Sequence, residues 1–188
     1  MDTIFILGLY TTIIVVFIWS RFRYFRSDTN SNLFVAMIYD PAVILFVCVS
    51  YYHIARADSL EMSRVFTGST LLVTSFCLYV WSLRSTHQAK LAFNLDIKKL
   101  NTTGAYGFVR HPFYLSYSLT WCGIAIICNY TILNVPLVYL LVFYWIAARI
   151  EEKSLLNGAR SSEYNNYKQN VGMFFPRVTQ WINCNSER

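Results

Sequence analysis

The sequence predicts an all-α integral membrane protein of about five transmembrane helices, the last two forming a helical hairpin, followed by a short amphipathic helical tail. Three observations carry this. Only 14% of the 188 residues are charged while 55% are hydrophobic, against about 25% charged in a soluble domain. The apolar residues fall in long uncharged blocks rather than at a surface-helix period. The cations collect between alternate blocks: three after the first, two after the second, five after the third, none after the fourth and six after the fifth. One membrane face then receives fourteen of the sixteen Lys and Arg, and the positive-inside rule makes that face cytoplasmic, with the N-terminus outside.

Each element follows in order. Residues 3–20 carry no charge, and eighteen apolar residues suffice to cross a bilayer. Asp2 precedes them and Arg21, Arg23 and Arg26 follow, the reverse of a secretory signal, so a retained first span is expected. The second block, residues 33–54, contains Asp40-Pro41. The proline should kink the helix, and Asp40 is either a functional intramembrane acid or the cap of the helix beyond the proline. The third block is residues 65–83. Residues 84–110 are polar and basic, with His87, Lys90, Lys98 and Lys99; a short interfacial helix is expected at 89–94 and a turn at Asn101-Thr-Thr-Gly104.

Residues 112–148 form an uncharged run of 37 residues, about 55 Å if helical throughout. A bilayer core is only about 30 Å thick. The run must fold back, and Asn129-Tyr-Thr-Ile-Leu-Asn-Val-Pro136 is its only corner. Beyond it, Leu155 and Leu156 extend the last span and Asn157-Gly158 ends it. Ser161 or Ser162 can cap a second helix that carries Tyr164 and Tyr167 on one face. The chain reads as one membrane domain, with residues 1–83 as three N-terminal spans and 84–188 as the core that carries the chemistry.

Two function classes are disfavoured. The five cysteines are odd in number, include no Cys-x-x-Cys pair and mostly lie in apolar blocks, so they read as packing and not as a metal site. The net charge of +6 flanks apolar spans rather than forming a patch with interleaved aromatics, so no nucleic-acid partner is expected.

The chemistry lies at the two ends of the 37-residue run. Before it stands Gly104-Ala-Tyr-Gly-Phe-Val-Arg-His-Pro-Phe-Tyr114, and after it Arg149-Ile-Glu-Glu-Lys153; a hairpin brings the two together. Arg110 and His111 can hold a carboxylate or a ribose, while Tyr106, Tyr114 and Tyr117 can face a cation. Glu151 and Glu152 can bind hydroxyls, an amine or a positive centre. That set suits S-adenosylmethionine, a zwitterion with a cationic sulfur. No Gly-x-Gly-x-x-Gly occurs, so the soluble nucleotide-binding fold is not on offer. The blander readings are lipid-phosphate anchors for Lys99 and Arg110, interfacial belt aromatics for Tyr106 and Tyr114, a solvated face for the glutamates, and packing for Tyr164 and Tyr167.

Gly104-Ala-Tyr106, Arg110-His-Pro-Phe-Tyr114, Glu151-Glu152-x-x-Leu155, Tyr164-x-x-Tyr167 and the Phe-Pro ending at Pro176 together resemble the isoprenylcysteine carboxyl methyltransferase family, which has relatives among the phospholipid N-methyltransferases. Small prokaryotic members of that family have five spans, the last two a hairpin. The resemblance covers residues 98–176. It implies cofactor contacts from residues 98–101, which include Lys99 and Leu100, from Tyr106, from His111, Pro112, Phe113 and Tyr114, and from one of Glu151 and Glu152; Arg110 joins them on its own chemistry. Two positions depart from the pattern. The family's His-x-Leu-Val is here Lys98-Lys-Leu-Asn101, and its substrate-side arginine, four residues before the first paired glutamate, is here Ala147. Arg149 is the nearest replacement. Arg149 and Glu152 are thus the catalytic candidates, the first for an anionic acceptor and the second, like Glu151, as a base for an amine.

The expected function is methyl transfer from S-adenosylmethionine to a lipophilic small molecule or lipidated substrate drawn from membrane lipid. Two alternatives stand beside it. Sterol-type membrane reductases share a similar Arg-His-Pro-x-Tyr, usually with Asn where this chain has Phe113, and bind NADPH. A non-catalytic binding protein could also keep the scaffold.

Overall fold

The computed structural model describes residues 2–24, 30–93, 100–158 and 160–177. They form α1 (Asp2–Tyr24), α2 (Asn30–Arg56), α3 (Met62–Phe93), the single turn α4 (Ala105–Phe108), α5 (Pro112–Cys128), a 3₁₀ turn (Thr131–Leu133), α6 (Asn134–Leu156) and α7 (Ser161–Asn170). Among the described residues there is no strand, only one isolated parallel bridge between Val109 and Gly172. The chain is an all-α membrane protein. Helices are what a bilayer demands, because every backbone N–H and C=O must be satisfied within the segment. Thr11, Thr12, Thr67, Thr70 and Thr74 follow the same logic, donating their hydroxyls to the carbonyl four residues back.

Among the described residues three stretches are long and apolar enough to cross a membrane: Thr3–Ser20, Met62–Thr86 and Thr131–Leu156; the apolar helix Pro112–Cys128 is shorter. Their outward residues are large and hydrophobic, including Ile4, Phe5, Phe66, Val135, Val138 and Trp145, as contact with lipid requires.

Three expectations are corrected. The separate interfacial helix expected at 89–94 does not form, since α3 continues unbroken to Phe93. No Gly or Pro interrupts residues 69–93, and Ser85 and Thr86 return their hydroxyls to Trp81 and Ser82 instead of breaking the helix; Asn94 lies outside the described residues. Asp40 does not stand at the start of a helix beyond the proline, because α2 runs through Pro41 without a break; its side chain is half-buried. At α7 the residue before the helix is Arg160, and no side chain caps the start; Ser161 is already helical.

The described residues pack as two compact units. The first comprises residues 1–76 and 118–144. Lipid tails give apolar helices little reason to associate, so polar and small side chains must join them. Tyr10 of α1 shares a hydrogen bond with Ser50 of α2 at 3.2 Å, and Ser75 of α3 one with Thr120 of α5 at 2.6 Å. Trp121 donates its indole N–H to the Tyr144 hydroxyl of α6 at 2.8 Å, which also meets the Tyr39 hydroxyl at 2.7 Å. Gly68 and Gly123 face each other so closely that a Cβ on Gly68 would stand 2.6 Å from the Gly123 carbonyl. The corner between α5 and α6 falls where expected. Asn129 takes a positive φ of 44°, a conformation asparagine tolerates, and Pro136 sits in the first turn of α6, where its missing N–H costs nothing.

The second unit comprises residues 77–117 and 145–188. It contains α4, α7 and both chemistry-bearing segments.

Candidate active site

The loop entering the motif is fastened to α3. Asn101 accepts the Thr103 backbone N–H at 3.2 Å and donates its amide to the Ser85 carbonyl at 3.3 Å. Gly104 has a φ of 61°, and a Cβ there would lie 2.3 Å from the Ser85 hydroxyl; both facts require glycine. The space is taken by a bond from the Ala105 N–H to that hydroxyl at 3.1 Å. The single turn α4 then delivers Tyr106, whose hydroxyl meets Thr86 at 3.2 Å. The Thr86 hydroxyl already donates to Ser82, so Tyr106 is the donor. Burial raises the Tyr106 phenol above its ordinary value, and it stays protonated.

From Val109 the chain is extended and is met by a returning segment. The Arg110 N–H donates to the Gly172 carbonyl at 2.9 Å, and the His111 N–H to the Met173 carbonyl at 3.2 Å. Gly172 is obligatory, because a Cβ there would fall 1.7 Å from the Phe175 carbonyl oxygen. Pro112 then opens α5, the position where proline is best tolerated.

Glu152 is the centre of the unit. Its side chain is only 3% exposed, and Arg110, 6% exposed, contacts one carboxylate oxygen through Nε at 2.8 Å and Nη2 at 2.7 Å. The other oxygen lies 3.4 Å from Lys168 Nζ. The remaining Arg110 nitrogen, Nη1, donates to the carbonyls of Lys168 and Val171 at the C-terminal end of α7, where an arginine satisfies carbonyls left without helical partners. Tyr164, Tyr167 and Val171 are buried together with Leu100 and Leu156 against them, and the Tyr167 hydroxyl donates to the Tyr106 carbonyl at 2.7 Å. The Tyr164 hydroxyl is buried without a hydrogen bond. Burial first, and the Glu152 charge next, push its phenol far up.

His111 lies between the two glutamates. Nδ1 is 3.6 Å from Glu151 and Nε2 is 3.4 Å from Glu152, the latter out of line for a hydrogen bond, so that Nε2 is buried and unsatisfied. The ring stacks on Tyr114 at 5.7 Å and tilts against Phe174 at 6.1 Å. Burial holds the imidazole below its usual value, against the opposing pull of Glu152. Glu151, one residue earlier, is turned outward with 55% of its side chain exposed.

A depressed His111 has a testable sign. As pH falls through about 6.5 the unfolded chain takes up this proton before the folded one does. The contribution is therefore neutral above that pH and destabilising below it. The gap in thermal midpoint between wild type and His111→Gln in detergent should shift in favour of the variant from pH 7 to pH 5; a gap constant with pH is the contrary result.

The structure thus brings together Tyr106, Arg110, His111, Tyr114, Glu151 and Glu152, with Leu100 alongside and Pro112 buried at the helix start. Phe113 is turned to Tyr79 at 5.3 Å, which Tyr117 also meets at 5.8 Å. Arg149 is not part of the cluster: it is exposed, its guanidinium 5.3 Å from the centre of the Trp145 ring. Lys99 lies outside the described residues. Lys168 and Gly172 belong to the site and sequence reasoning passed them over; the one available signal was that Lys168 shares a helix face with Tyr164, four residues earlier.

Comparison with known proteins adds an independent line. The profile of the phospholipid methyltransferase family matches residues 63–159, a little over half of the chain and including both charged segments. A methanethiol S-methyltransferase of Crocosphaera subtropica is 29% identical over 113 residues, 57% of this chain and 42% of that protein. The chain therefore matches less than half the length of that relative. No solved structure matches it.

Proposed function

The chain belongs to the phospholipid methyltransferase family, and from that premise we propose that it transfers a methyl group from S-adenosylmethionine to a neutral amine or thiol on a lipophilic or amphiphilic acceptor. The observation that carries this is the unequal state of the paired glutamates. Glu152 is buried and neutralised by Arg110 and Lys168, while Glu151 stands open beside His111.

The residues present fit the cofactor. His111 Nε2 and the Tyr164 hydroxyl are buried polar atoms without hydrogen bonds, and the stacked His111–Tyr114 pair offers aromatic faces to a cation. His111, Tyr114, Tyr106 and Leu100 would hold it. When bound, it supplies an electrophilic methyl group on a sulfonium. The chain's own residues do the rest. Glu151 accepts the proton that a thiol or ammonium must lose, and the neighbouring imidazole is placed to share it. The aromatic ring set excludes water and aligns the reactants. Arg110, engaged on Glu152 and two carbonyls, serves as support and not as a carboxylate ligand.

The cations argue for a neutral acceptor. Among the described residues of the cluster, Arg110 and Lys168 both serve Glu152, and Arg149 lies over Trp145, so an anionic acceptor beside His111 would meet the Glu151 carboxylate instead. A thiol acceptor is named in the Crocosphaera relative and a phospholipid in the family. The same reading takes five spans, with the site on the cytoplasmic face, supported by the fourteen cations assigned there.

Calorimetry on the detergent-purified protein tests it. Saturable binding of S-adenosylhomocysteine, with none of NADPH, is expected, together with methylation of a small thiol or a lipid amine in preference to a farnesylcysteine carboxylate. Binding of NADPH alone would move the chain to reductase chemistry, and binding of neither would remove the enzyme reading.

A further inference from the structure

The segment Tyr164–Phe174, which is fastened to the motif, lies beyond residues 63–159 of the family match. Here the returning chain does three things at one point. Its carbonyls at Gly172 and Met173 take the N–H groups of Arg110 and His111. Its carbonyls at Lys168 and Val171 take the Arg110 guanidinium. Its Phe174 ring lies against the His111 ring. The side chains of Arg110 and Glu152 are buried within this joint, 6% and 3% exposed, so neither presents a free polar edge.

We infer that α7 and the strap 171–174 act as a clasp that sets the position and burial of His111, with Arg110 and Gly172 as its two fastenings. Arg110 and Gly172 are positioning residues: they hold the histidine and touch no ligand. The clasp acts on ligand binding through His111, and in that respect it rests on the function proposed above; the fastening itself does not.

The geometry leaves few substitutes for either fastening. Arg110 satisfies a carboxylate and two carbonyls from one planar fork, which lysine, a single point charge, cannot reproduce. Gly172 has no room for a methyl group, since its Cβ would overlap the Phe175 carbonyl at 1.7 Å. The groups that face the imidazole are Glu151, Glu152 and Arg110, all on α6 or the motif, so loss of the strap changes the burial of His111 and leaves its charged neighbours in the chain.

The test uses the full chain in detergent with ¹⁵N-labelled histidine. Only three histidines occur, His53, His87 and His111, and His111→Gln identifies the signal. The His111 backbone N–H should exchange slowly in the wild type, and the ring should titrate below about 6.5. In Gly172→Ala the titration should move up toward the ordinary value, amide protection should drop at least tenfold, and S-adenosylhomocysteine affinity should fall at least tenfold. Arg110→Gln also removes a cation beside the imidazole, so there the amide protection alone, with the same drop, is the reading. Arg110→Lys should lie between. A His111 amide that exchanges as fast as an exposed one in the wild type would overturn the clasp without recourse to any variant, and so would a wild-type titration and protection that Gly172→Ala leaves unchanged. Wild-type protein that fails to bind S-adenosylhomocysteine would sink the cofactor reading, while the exchange and titration data would still decide the clasp.

Discussion

Glu151→Gln should lower turnover of a thiol or amine acceptor by about 10²–10⁴-fold, the usual contribution of a positioned general base, with S-adenosylhomocysteine affinity changed only a few-fold. The glutamine keeps the size and hydrogen-bonding reach of the side chain and removes its ability to take a proton. The split between kcat and binding is the informative reading, because an interaction used only during reaction lowers kcat without raising the dissociation constant of the bound cofactor. Part of the loss should return as the assay pH approaches the acceptor's own pKa, where the nucleophile arrives already ionised. Turnover within a factor of about three of wild type at neutral pH would mean that Glu151 is not the base.

The second large effect concerns stability. Glu152→Met leaves the Arg110 guanidinium, 6% exposed, without its carboxylate, and removing one partner of a buried pair costs about 3–5 kcal/mol. Arg110→Met should cost a similar amount by leaving the carboxylate behind. The double change to Arg110→Met and Glu152→Met should be markedly milder than the sum of the two, because the uncompensated charge disappears with its partner. Lys168 makes the contrast. Its contact with Glu152 is longer, 3.4 Å, and its side chain is 31% exposed, so Lys168→Met should cost no more than about 1 kcal/mol. Unfolding in a mixed-detergent series measures all four variants. Purely additive costs would show that Arg110 and Glu152 are not coupled.

Much of this was legible in the sequence because it follows from length and charge. An uncharged run of 37 residues cannot cross a bilayer core of about 30 Å once without leaving half of itself in water, so the hairpin and the meeting of its ends were forced. The division between Glu151 and Glu152 was not legible. Adjacent helical residues point about 100° apart, and which of two glutamates turns inward depends on where Arg110 lies in three dimensions. The same ignorance made Arg149 look like a replacement for the arginine missing at Ala147, whereas its side of α6 carries Trp145. The extension of α3 was hidden by composition: polar residues after Leu83 read as an interfacial break, yet serine and threonine bonded back to their own helix do not end it. Least visible was the strap. Backbone pairing between Arg110 and Gly172 has no local sequence signature, and even Gly172 announces itself only as one of seven glycines.

The fastening of Arg110 to Val171 also has a consequence in time. The two residues are 61 positions apart in the chain, and translation at about 5–20 residues per second separates their synthesis by roughly 3–12 s. During that interval α5 and α6 can already be inserted, while the arginine at their mouth lacks the carbonyls that will later enclose it. The nascent protein therefore passes through a stage at which the α5–α6 hairpin is complete and the candidate site is not. What completes it is the arrival of α7, a polar helix of ten residues.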